Sequence, residues 1–172
     1  MNFLSKNDYP QILVGNPIES IGRSSDMVWI GFGRRVATKD YKGNPICKSE
    51  IALHIQCPWK IADVINKKIE LASSDIYEPV STEEWDEKFN WDIQGGNLFD
   101  EKAQCWIASN SEVTVDSVKF NFVGDLNVHL SNKMELCVFV NSSTDIECWR
   151  ILEADKSKPH FVVCGNGTSF VY

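Results

Sequence analysis

Leu126-Asn127-Val128-His129-Leu130 alternates apolar and polar side chains without a break, between the turn formers Gly124-Asp125 and Ser131-Asn132-Lys133. Successive side chains of a strand point to opposite faces, so this pattern predicts a strand with one buried and one wet face. The same reading extends in both directions. Upstream, Val113, Val115, Val118, Phe120 and Phe122 alternate with polar residues. Downstream, Glu135–Val140, Ile146–Leu152, His160–Cys164 and Ser169–Tyr172 are short runs separated by Asn141-Ser142-Ser143-Thr144-Asp145, by Pro159 and by Gly165-Asn166-Gly167. Strands joined by such turns predict an antiparallel meander.

The first half of the chain gives further strands at Gln11–Gly15, Met27–Val36 and Glu50–Gln56, the last stopped by Pro58, which has no amide to donate to a ladder. In Met27–Val36, Val28, Ile30 and Phe32 share one face and Met27 and Trp29 the other. Gly31 and Gly33 predict a bulge or a close backbone approach there. Lys67–Leu71 and Ile76–Tyr77 read as a short hairpin. Helix signals are confined to the middle. Ser81-Thr82-Glu83-Glu84 fits a capping box opening a helix through Trp85 and Phe89 that ends by Gln94-Gly95-Gly96. A second helix is predicted from Phe99 to about Ile107. The expected fold is therefore α+β and mainly β: a meander sheet, or a partly open barrel or sandwich, with one or two helices inserted mid-chain. Residues 1–172 read as a single domain.

Composition narrows the function. The net charge is −7, and residues 75–92 hold seven acids against Lys88 alone. An acidic chain repels phosphate backbones, so nucleic acid is not an expected partner. No apolar run reaches the length of a membrane span, and Met1–Asp8 has no apolar leader region, so a cytoplasmic protein without membrane contact is expected. The six cysteines, Cys47, Cys57, Cys105, Cys137, Cys148 and Cys164, include no Cys-x-x-Cys pair. They read as reduced, buried thiols.

No cofactor or metal motif is present. Gly31-Phe32-Gly33 lacks the third glycine of a dinucleotide fingerprint, and neither a phosphate loop nor a nucleophile elbow occurs. His54, His129 and His160 are too far apart for a local metal site. Three functional readings follow. In the first, the aromatic and acidic residues Glu84, Trp85, Glu87 and Trp91 form a docking surface for a basic protein, as in an accessory factor or an immunity protein that neutralises a basic toxin. In the second, His54, Trp59, Trp29 and Arg23 line a small-molecule cavity. In the third, His54 activates the Cys57 thiol; residues three apart on a regular strand point to opposite faces, which argues against that pair.

The segment Leu53-His54-Ile55-Gln56-Cys57-Pro58-Trp59-Lys60-Ile61 resembles a Leu-His-Ile-Gln-Cys-Pro-Trp-Arg-Ile string carried by small bacterial proteins of no established activity. Gly22-Arg23-Ser24-Ser25-Asp26-Met27 and His160-Phe161-Val162-Val163 belong to the same resemblance, and Lys60 stands where arginine is expected. The resemblance implies a bacterial origin and carries over no catalytic residue.

Overall fold

The structure is a computed structural model that describes residues 8–40, 42–81 and 89–172. The fold is α+β and mainly β, built from two antiparallel sheets without barrel closure. The first sheet orders its strands β1 (Ile18–Ser24), β2 (Met27–Lys39), β3 (Pro45–Ile55), β9 (Glu147–Glu153), β10 (His160–Cys164) and β11 (Gly167–Val171). The second orders β5 (Lys68–Ala72), β4 (Trp59–Asp63), β8 (Met134–Val138), β7 (Leu126–Leu130) and β6 (Val115–Phe120). The expected meander is thus split. The chain crosses from the first sheet to the second after β3, at Pro58, and returns between β8 and β9.

The alternation in the sequence becomes the core between the sheets. Val28, Ile30 and Phe32 of β2, Leu53 of β3 and Ile151 of β9 are fully buried and belong to one cluster with Leu126, Val128 and Leu136 of the second sheet. The Phe120 ring of β6 meets Trp149 and Phe161 of the first sheet at 5.7 and 5.9 Å. The Trp149 indole donates to the Gly124 carbonyl at 2.9 Å, so the one polar atom of this large side chain is satisfied across the layer.

One α-helix stands among the described residues, α1 (Leu98–Ser109). Asn97 caps it by accepting from the Asp100 amide at 2.9 Å, and Asp100 and Glu101 sit at the positive end of its dipole. Phe99, Ala103 and Trp106 fall on one face and are buried, which fixes α1 against β1 and β5.

Several local expectations need correction. Gln11–Gly15 is not a strand: Tyr9–Leu13 is a 3-10 helix with proline in its first turn, which pre-sets helical φ, and Leu13 buried beneath it. Ile76–Tyr77 does not pair with Lys68–Ala72. The chain turns instead into a second 3-10 helix, Ser73–Tyr77, where the Asp75 carboxylate accepts from the Ala72 amide at 3.0 Å. Residues 82–88, which carry most of the expected capping-box helix, lie outside the described residues, and 91–95 form turns.

Candidate groove under the β2–β3 arm

Two irregularities in the first sheet shape a groove on its surface. In the β1–β2 ladder Ile18 pairs with Phe32 and Ser20 with Gly31, leaving Glu19 as the extra residue of a bulge. In the β2–β3 ladder Phe32 pairs with Ile51 and Arg35 with Ser49, so Gly33 and Arg34 face Glu50 alone. Gly33 takes φ +80, a left-handed conformation suited to glycine, and its amide donates to Pro17 at 2.9 Å. Beyond this bulge the β2–β3 hairpin turns back over the outer face. Ser49 lies so close to Gly31 that a Cβ on Gly31 would collide with the Ser49 and Ser20 hydroxyls. The bulge and close approach expected from these two glycines are therefore both present.

The arm is latched by Glu19. Its Oε2 accepts from Ser49 Oγ at 2.6 Å and from Ser20 Oγ at 2.8 Å, and its Oε1 accepts from Arg35 at 2.9 Å. A further Arg35 nitrogen donates to the Cys47 carbonyl at 3.0 Å. Burial alone would raise the Glu19 carboxyl, but the Ser49 and Ser20 hydroxyls and the Arg35 charge outweigh it and hold the group below its ordinary value. Between arm and sheet lies a groove of about 390 Å³. Trp29, Gly31, Ala52 and His54 line it from the sheet, and Arg35, Lys48 and Ser49 from the arm. The Trp29 ring rests on Gly22, where any side chain would strike it.

Two of the four residues expected around a cavity meet here. His54 and Trp29 are directly opposed across the β2–β3 ladder and both line the groove. Arg23 and Trp59 do not. After the Glu19 bulge, Arg23 points to the opposite side of β1, where its Nε and one terminal nitrogen each donate to Asp100 at 2.8 Å, and other bonds reach the Ser25 and Ile93 carbonyls. Trp59 opens β4 in the second sheet, is 3% exposed and packs edge-on against Phe99.

His54 shares the outer face with Ala52, while Leu53 and Ile55 are buried. Burial first, then the Arg150 charge, pull its imidazole down to about 4. Cys57 lies inside the core cluster beside Cys148, and burial pushes its thiol up to about 12. The two side chains are on opposite sides of the sheet, as their spacing predicts, and cannot act together. All six cysteines are free; Cys57, Cys137 and Cys148 are buried, whereas Cys47 and Cys105 are exposed, contrary to the expectation of buried thiols throughout.

No family model, no curated protein and no solved structure matches the chain. Function must be read from the site. Glu84, Trp85 and Glu87 lie outside the described residues. Trp91 is half-buried, its ring 5.1 Å from that of Tyr77. Among the described residues no helix is long and apolar enough to cross a membrane, and no cluster of three or more His, Cys, Asp or Glu could hold a metal ion. The residues that build the groove but were not singled out from the sequence are Glu19, Ser20, Arg35, Lys48 and Ser49. Only Gly31-Phe32-Gly33 hinted at them, by marking where the strand departs from regularity.

Proposed function

We propose that this chain is a binding domain whose working surface is the groove under the β2–β3 arm, and that its ligand is a small molecule with one flat apolar face. The observation that supports this most is the latch. Two bulges, a glycine without room for any side chain and three hydrogen bonds to one carboxylate all serve to hold the arm above an uncovered sheet face. Bulges are concentrated where a side chain has to be re-aimed, commonly beside functional sites. The groove also combines an aromatic wall with a few fixed polar groups, the composition of a ligand pocket. Trp29 supplies the flat surface, and Ser49, Arg35 and His54 supply the hydrogen-bonding edge.

A fragment library screened by NMR, following the Trp29 indole N–H, tests this. Fragments that move that signal in the native chain and not in Gly31→Val, whose added side chain strikes Ser49 and Ser20 and displaces the arm, support the reading. A library that moves no Trp29 signal sinks it.

A second reading is supported by one specific feature. The Tyr77–Trp91 pair lies beside Asp26, which accepts from the Tyr77 hydroxyl at 3.3 Å, and beside the half-exposed Asp92. Aromatic rings with an acidic rim suit a basic protein partner, so this corner and residues 75–92 would act as an accessory or immunity-type docking surface. Titration with an oligolysine peptide at low and moderate salt decides it: binding that weakens with salt and with Trp91→Ala favours docking, and absence of binding removes it.

A further inference from the structure

We propose that the His54 side of the groove is an oxyanion subsite, seating a carboxylate or phosphate group of the ligand between Lys48 and His54, which line the groove, and the neighbouring Arg150 and His160 on the same sheet. The inference rests on the groove being a ligand site and adds the charge of what it takes.

The geometry begins with Arg150 of β9, directly opposite His54 of β3. Glu147 holds the guanidinium in place, accepting from Nε at 2.6 Å and, through its other oxygen, from a terminal nitrogen. The remaining terminal nitrogen lies 3.2 Å from His160 Nδ1. A guanidinium only donates, so Nδ1 is the acceptor, the ring proton sits on Nε2, and no described group accepts it. Lys48 lines the groove together with His54; its charge acts on both imidazoles, and among the described residues it is in none of the ion pairs. No described group hydrogen-bonds to His54.

The groups facing His54 are Trp29 from β2, Lys48 from its own strand, Arg150 and Glu147 from β9, and His160 from β10. Glu147 is the acid among them, committed to Arg150 and to the Gln56 amide, which donates to it at 3.1 Å; the two acids that line the groove itself are also engaged, Glu19 by the latch and Glu153 by the Tyr9 hydroxyl at 3.1 Å. The Arg150 donors are thus taken by Glu147 and His160, and Lys48, His54 and the His160 Nε2 proton are the donors for which no described group is an acceptor. Burial, Arg150 and Lys48 hold both imidazoles neutral at pH 7. A bound anion reverses that balance: its charge favours the protonated rings, so binding takes up protons and tightens as pH falls.

Sulfate, whose charge is constant across this range, is the probe, with acetate and phosphate as comparisons. Imidazole signals of the full chain are followed by NMR from pH 7.5 to 5. The expected result is a sulfate-dependent shift of His54 and His160 with a raised apparent pKa, and no shift at His129 on the second sheet. Lys48→Gln, a change at a part-exposed position, should weaken sulfate by about tenfold, the loss of one charge-assisted contact. Lys119→Gln, an exposed change on β6 of the second sheet, should leave it within about twofold. Unmoved histidines, a His129 shift equal to the others, or a Lys48→Gln variant with native affinity would overturn the proposal. Neutral fragments that move Trp29 while sulfate moves neither imidazole leave the groove standing and remove the subsite. The converse removes the Trp29 ligand and keeps the anion.

Discussion

Two arginine–carboxylate pairs flank the same strand, and they differ in everything except their chemistry. Arg23 and Asp100 are sealed off. The guanidinium is wholly buried, four of its five N–H donors are hydrogen-bonded with Asp92 3.7 Å away as a second carboxylate, and Asp100 also accepts from the Gly95 amide at 2.7 Å. Arg35 and Glu19 stand one bulge away at the groove rim, with the arginine more than half exposed and the carboxylate shared with two hydroxyls. The first pair ties β1, the 89–97 segment and α1 together. The second shapes a surface that water and ligands reach. Saturation separates a structural pair from a working one, and burial decides how much each matters to stability.

That contrast can be broken by mutation. Arg23→Met should cost about 3–5 kcal/mol, because it leaves Asp100 buried and uncompensated, and Arg23→Met with Asp100→Leu should recover much of it; urea unfolding of the two variants checks the pair. Gly31→Val should cost about 1–3 kcal/mol by forcing the arm off the sheet, with the loss read by the same unfolding curves. Lowering pH from 7 to 5 should cost on the order of 1 kcal/mol. The His54 pKa in the fold is depressed below its ordinary 6.5, so the unfolded chain binds more protons in that window and stability falls as pH drops from 6.5 toward 4; His54→Gln should flatten the dependence. Arg35→Gln should change stability by less than about 0.5 kcal/mol, since its charge faces solvent, while altering fragment binding seen at Trp29. A large stability loss at Arg35, or none at Arg23, would erase the distinction.

The strands of the second half were legible because a strand with one wet face writes its period into the sequence; β7 and β10 fall where the alternation places them. β1 was not legible. Ile18-Glu19-Ser20-Ile21-Gly22-Arg23 has no clean alternation, since the bulge at Glu19 breaks the period and Arg23 is buried by a partner far along the chain. β4 was hidden for another reason: Pro58 reads as a stop, and it is one for β3, but the chain resumes as a strand in the other sheet one residue later. α1 announced itself through Phe99, Ala103 and Trp106. The groove was half legible. Trp29 and His54 stand out as unusual residues on strands, whereas Glu19, Arg35 and Ser49 are ordinary polar residues whose meeting depends on how the arm folds back. Trp59 and Arg23 look equally unusual in sequence and serve the interior.

The pairing of β3 with β9 has a consequence for how the protein reaches its fold. Three N-terminal strands form a hairpin ladder at once, but β3 stays an open edge until a strand from the far part of the chain arrives beside it. Long-range closure of that kind is slow, and an unpaired apolar strand in the meantime invites pairing with neighbouring molecules. During synthesis β3 is therefore an aggregation hazard until β9 is added.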